Sequence, residues 1–163
     1  NKTLGLICND YLKTSKRAAM IDIHTGLGPY GYGELMTPSK PGEAIYDFFF
    51  NWYGDEVHST TAGSSLYAGS KGSLLAGFQP LSDSLEWAAV GLEYGTRERE
   101  TVRKAMLANS WLHLHGELDS DLGRKIKQEV KDASYPDEDE WKSLVWERGK
   151  EVIGIALKQF PNS

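Results

Sequence analysis

Two ionisable side chains that follow short apolar runs are the first candidates for chemistry in this sequence. His24 comes after the apolar run 18–23, and Glu93 comes after the run 87–92. A histidine and a carboxylate are natural partners in a metal site or in an acid–base site. The spacing alone leaves a second interpretation equally open, in which His24 caps a strand and Glu93 is solvated.

Asp22 adds a third candidate next to the histidine. In a strand, residues two apart face the same side, so Asp22 and His24 are expected on one face. The Asp22 carboxylate could then accept a hydrogen bond from the imidazole nitrogen that a metal does not use.

The elements that must position these side chains are predicted from the apolar pattern. Both runs lack clean alternation and are bounded by turn signals, as is typical of strands covered on both faces in a parallel sheet. Ligands collect beyond the carboxyl ends of such strands, so we expect His24 and Glu93 to meet at one rim. Helical spacing and caps predict helices over 4–12, 45–52, 96–116, 122–130 and after Pro136.

This element order predicts a layered α/β fold, and the length of 163 residues predicts one domain over residues 1–163. The connection 55–86 is long for a compact domain, so it is functional, mobile or hides a strand. We expect a short strand within Ser64–Ala68.

Composition excludes several classes of protein. The chain has 18 basic and 23 acidic residues and a net charge of −5, so a generic basic surface for nucleic acid or an anionic membrane is excluded. Cys8 is the only cysteine, which excludes an intrachain disulfide and a multi-cysteine metal site. No apolar run is long enough to span a membrane and no signal peptide is visible, so we expect a cytoplasmic protein with no membrane partner.

The segment 26–31 fits the dinucleotide fingerprint G-x-G-x-x-G, which gives an alternative function. That fingerprint needs a helix that opens within the motif, and residues 32–38 are a poor helix. The same glycines could instead let the backbone fold closely and expose amides toward an anionic group.

Two segments of the chain resemble a known family. Residues 21–31 read IDIHTGLGPYG, and residues 92–96 read LEYGT. They resemble the distinctive segments of a little-characterised, mostly bacterial branch of the zinc carboxypeptidase family, whose members carry a domain of unknown function. The resemblance extends over nearly the whole chain.

The resemblance implies a zinc-dependent peptidase or amide hydrolase with a three-layer fold, in which helices flank a mixed, mostly parallel sheet. His24 would be the last of three protein ligands to zinc, and Glu93 would be the general base. Substrates would be peptides or acyl-amino acids. The residues expected to support the metal ligand or to form a substrate loop are Asp22, Thr25, Gly26, Gly28 and Tyr30.

One family motif has no counterpart in this sequence. The family takes its first two zinc ligands from an H-x-x-E motif upstream of the last histidine. The residues three positions after His24, His58, His113 and His115 are Leu27, Thr61, Gly116 and Leu118. We therefore expect the chain to be the C-terminal portion of such a domain, with the N-terminal half of the same protein as its partner. The alternative is a non-catalytic binding or assembly module on the same fold.

Overall fold

Helices flank a four-stranded mixed sheet in the computed structural model, which describes residues 2–66, 74–77 and 85–160. The predicted α/β fold is confirmed. The strands are β1 (Arg17–Tyr30), β2 (Gly33–Thr37), β3 (Val57–Ser59) and β4 (Glu86–Gly95). The helices are α1 (Lys2–Leu12), α2 (Ala44–Tyr53), α3 (Leu74–Gly77), α4 (Arg99–His115), α5 (Asp121–Ser134) and α6 (Asp139–Lys158).

The strand order in the sheet is β1-β4-β2-β3. β2 runs parallel to β3, with Leu35 opposite Val57 and Thr37 opposite Ser59. β1 and β4 contain the two predicted strands and are neighbours. The condition under which His24 and Glu93 could share one rim of the sheet is therefore met.

Both of these strands are longer than the apolar runs that predict them. β1 continues through His24 and the glycine-rich segment to Tyr30, and β4 continues through Glu93 to Gly95. The interpretation of the glycine-rich segment after Thr25 as a loop is therefore wrong. Glycines within a strand weaken it. Here hydrogen bonds from the end of β4 and from the residue that follows it hold β1 in place, including one from the Thr96 hydroxyl to the Gly26 carbonyl.

Two short strands were missed because they are brief and carry no alternating pattern. β2 covers part of a segment read only as a poor helix, and all five of its residues are buried. β3 lies in the long connection. The strand expected within Ser64–Ala68 is absent from residues 64–66, and residues 67 and 68 lie outside the described residues.

The predicted helices are all present among the described residues, with shifted ends. α2 ends at Gly54, whose φ of 61° is a conformation that favours glycine. α4 begins after Glu98 rather than at Thr96, because the Thr96 side chain is used in a buried contact described below. Ser120 caps α5 by accepting a hydrogen bond from the Gly123 amide at 3.0 Å.

The chain divides into two compact units. The first comprises Asn1–Asp22, Leu35–Leu92 and Ile155–Ser163. Its described core includes fully buried Phe49 on α2 and a ring contact between Trp52 and Phe160 at 5.8 Å. The aromatic residues of α2 are therefore core residues.

The second unit comprises Ile23–Glu34 and Glu93–Gly154. It holds the second half of β1, the end of β4, α4, α5 and most of α6, with α4 and α5 packed on each other. Its core is built from buried side chains, among them Tyr94, Leu112, Ile126, Trp141 and Val152. Among the helices described in either unit, none is long and apolar enough to cross a membrane.

Candidate functional site

His24 and Glu93, the two principal candidates, both belong to the second unit. His24 lies within β1 and is exposed, whereas Glu93 lies near the end of β4 and is only 4% exposed. A carboxylate is seldom buried to this extent without hydrogen-bond partners. The contacts that hold Glu93 therefore define the candidate site.

The Glu93 carboxylate is bound to the backbone of β1. The amide N–H of Leu27 donates to Glu93 Oε1 at 3.0 Å. A backbone amide that donates to a carboxyl oxygen fixes the orientation of the side chain. The carboxylate oxygen of Glu93 is thus bound at Leu27, three residues along β1 from His24.

Gly26 leaves the space that the carboxylate occupies. A Cβ at Gly26 would lie 3.3 Å from Glu93 Oε1. A carboxyl oxygen of Glu93 therefore lies against the backbone of β1 at Gly26, two residues along the strand from His24.

Thr96 fastens the end of β4 to the same part of β1. Its Oγ1 is 2.9 Å from the carbonyl oxygen of Gly26 and 2.7 Å from that of Ala133, and the residue is 1% exposed. Its backbone N–H also donates to the Gly26 carbonyl, at 3.4 Å. Thr96 therefore joins β1, β4 and the last turn of α5.

Gly95 makes this close approach of the two strands sterically feasible. A Cβ at Gly95 would lie 2.1 Å from the carbonyl oxygen of Pro29 and 2.3 Å from that of Gly28. The Gly95 carbonyl accepts hydrogen bonds from the Gly31 amide and from the indole N–H of Trp141, both at 2.9 Å. The backbone at this position is thus packed and hydrogen-bonded on several sides.

The connection between α5 and α6 binds the outer part of β1. The Thr25 hydroxyl donates to the Ser134 carbonyl at 2.6 Å. The Tyr30 hydroxyl donates to the carboxylate of Glu138, which also forms an ion pair of 2.6 Å with Arg97. The hydrogen bond to Glu138 is the largest cause that raises the pKa of Tyr30 to about 12.

The residues expected to support the metal ligand or to form a substrate loop are strand residues. Thr25, Gly26, Gly28 and Tyr30 all lie in β1. Asp22 also lies in β1 and is half-buried, but it belongs to the first unit. The dinucleotide motif lies in this strand too, without the helix that a phosphate site requires.

Two buried polar residues of the second unit were not singled out from the sequence as site residues. Glu34, at 2% exposed, is a second buried carboxylate and lies on β2, the other neighbour of β4. Thr96 was read as a helix cap, and only its contacts reveal a different role. No sequence signal marked Glu34. All five β2 residues are buried because β2 lies between β4 and β3 in the sheet, and the local sequence does not record that order.

The described residues do not form a zinc site by themselves. A catalytic zinc ion needs three protein ligands. Among residues 2–66, 74–77 and 85–160, no three His, Cys, Asp or Glu side chains are grouped closely enough to hold a metal ion. His113 and His115 lie in the last turn of α4, where His113 Nε2 is 2.6 Å from Lys127 Nζ.

Comparison with known proteins gives one match. A family model described as "Protein of unknown function (DUF2817)" matches residues 1–148. No curated protein and no solved structure matches the chain.

Proposed function

The chain belongs to the DUF2817 family of proteins of unknown function, and we propose that it carries part of the active site of a zinc-dependent amide hydrolase related to zinc carboxypeptidases. In this proposal His24 is the last metal ligand and Glu93 is the general base. The substrates are peptides or acyl-amino acids.

One observation supports the proposal most strongly. The buried Glu93 carboxylate accepts a 3.0 Å hydrogen bond from the Leu27 amide of β1, the strand that also carries His24. β1 and β4, which carry the two residues, are neighbours in the sheet. A buried carboxylate that is oriented by the main chain of a neighbouring strand suits acid–base work.

In this proposal Glu93 transfers protons during the reaction. Its carboxylate takes a proton from the attacking water, and the resulting carboxylic acid later gives that proton to the leaving amine. The Leu27 amide holds Oε1 through this cycle, so the side chain need not be reoriented between the two steps. Removing such a group costs about 100- to 10,000-fold in rate.

Zinc would act as a Lewis acid on the scissile carbonyl in such an enzyme. His24 supplies one ligand in this proposal. In this proposal the other ligands come from outside the described residues, because these hold no group of three possible ligands.

The test uses the complete protein that contains this chain. We expect purified protein to carry about one zinc ion per chain, measured by mass spectrometry, and to hydrolyse a panel of peptides and acyl-amino acids. His24→Ala should lose zinc and activity together. Glu93→Gln should retain zinc and lose activity by about 100- to 10,000-fold.

Matched controls are available on the same unit. His115→Ala and Glu117→Gln replace exposed residues at the end of α4 and just beyond it, and both should retain zinc and the wild-type rate. A Glu93→Gln protein with a near wild-type rate would refute the assigned base. A complete protein that binds no zinc would favour the non-catalytic binding or assembly module.

A further inference from the structure

The peptide group between Gly26 and Leu27 is held at both ends by side chains from the end of β4. Its carbonyl oxygen accepts the Thr96 hydroxyl at 2.9 Å, and its N–H donates to Glu93 Oε1 at 3.0 Å. Thr96 and Glu93 are three residues apart in the chain. A single peptide plane therefore links the two side chains.

This link is rigid because a peptide group is planar. The carbonyl and the N–H of a trans peptide point in opposite directions, so a rotation that releases the carbonyl also turns the N–H away. Loss of the Thr96 hydroxyl leaves the Gly26 carbonyl with only the longer hydrogen bond from the Thr96 N–H, at 3.4 Å. The peptide group can then rotate, and its rotation changes the direction of the Leu27 N–H. The orientation of the Glu93 carboxylate depends on that direction.

Thr96 is itself fixed from a third side. Its hydroxyl oxygen is 2.7 Å from the Ala133 carbonyl in the last turn of α5, and the residue is 1% exposed. Water therefore has little access to replace either contact. The single hydroxyl proton thus has two carbonyl acceptors within hydrogen-bond distance, one on β1 and one on α5, and both lie close enough to restrict the side chain.

We infer that Thr96 is a positioning residue for Glu93 and acts through the peptide group between Gly26 and Leu27. The catalytic part of this inference rests on the proposed function, since it requires Glu93 to be the base. The geometric part does not, because the contact between Leu27 and Glu93 can be measured without turnover.

The geometric test is the hydrogen-bond scalar coupling between the Leu27 amide nitrogen and the Glu93 carboxyl carbon, measured by NMR on the complete protein. Thr96→Val keeps the shape of the side chain and removes the hydroxyl, so it should abolish this coupling. Thr96→Ser keeps the hydroxyl and should restore it. Thr101→Val, at an exposed threonine on α4, should leave it unchanged.

The kinetic test separates orientation from binding. Thr96→Val should lower kcat by about tenfold, which corresponds to the loss of one oriented hydrogen bond, and should leave KM nearly unchanged. Thr96→Ser should return kcat to within about twofold of wild type. A general loss of structure would lower both variants together and would change KM as well.

Several outcomes overturn the inference. It is wrong if the coupling and kcat are unchanged in Thr96→Val, or if Thr96→Ser behaves like Thr96→Val. If Thr96→Val does not fold, hydrogen exchange of the Thr96 hydroxyl in the wild-type protein tests the inference instead. A slowly exchanging Thr96 hydroxyl proton close to Ala133 and Gly26 is expected there, and a rapidly exchanging one contradicts the inference. If Thr96→Val loses the coupling but the wild-type protein has no hydrolase activity, the proposed function is refuted. The positioning of Glu93 by Thr96 is then still supported.

Discussion

Glu93 on β4 accepts a hydrogen bond of 3.0 Å from the backbone N–H of Leu27 on β1. The carboxylate is therefore positioned by the main chain of the neighbouring strand. Its position depends on how closely the two strands approach, and small residues control that approach. The first prediction below concerns Gly95, which makes this approach possible.

Gly95→Ala should destabilise the protein by about 1–3 kcal/mol or more. The added Cβ would lie 2.1 Å from the Pro29 carbonyl oxygen and 2.3 Å from that of Gly28. These are backbone atoms and cannot move as the end of a side chain can. Urea unfolding followed by circular dichroism measures the change in the free energy of unfolding.

Gly154→Ala is the matched control and should act in the opposite direction. Gly154 lies within α6, and a Cβ there would have no heavy atom within 4 Å. An alanine should stabilise the helix by about 0.5–1 kcal/mol. Equal effects of the two substitutions would contradict the close approach of β1 to Gly95.

Trp141→Phe should lower the free energy of unfolding by about 1–3 kcal/mol. The indole N–H of Trp141 donates to the Gly95 carbonyl at 2.9 Å, and Trp141 is 3% exposed. Phenylalanine removes this donor and leaves a smaller ring. Trp146→Phe, at a residue that is 66% exposed, should change stability by less than about 0.5 kcal/mol. A similar loss in both variants would show that the Gly95 contact is not the cause.

Tyr30 should titrate at about 12 instead of the ordinary 10.0, because its hydroxyl donates to the Glu138 carboxylate. Glu138→Gln should move the pKa of Tyr30 back toward 10.0, whereas Glu117→Gln should not affect it. The neutral phenol is the form that makes this contact. Its stabilising contribution is therefore fully present below pH 10.0 and is lost as the pH rises through about 12.

NMR of labelled tyrosine rings measures this titration directly. A Tyr30 ring that titrates near 10.0 in the wild-type protein would contradict the hydrogen bond to Glu138.

The sequence predicted the elements whose signals are local. Helical spacing and a terminal glycine gave α2 and its end at Gly54, and two short apolar runs gave the centres of β1 and β4. Local signals could not give the strand ends. Glycines at positions 26 and 28 indicate a loop, and only pairing with the end of β4 keeps them in a strand.

For the candidate site, the sequence by itself determined which residues could do chemistry, because the residue types and their order identify His24 and Glu93 as candidates. The sequence also shows that the chain has no H-x-x-E motif. The tertiary structure decided how Glu93 is held and which contacts Thr96 makes. Those contacts join atoms that are 66 and 70 residues apart in the chain. Such contacts depend on strand order and register, which no local pattern around either residue records.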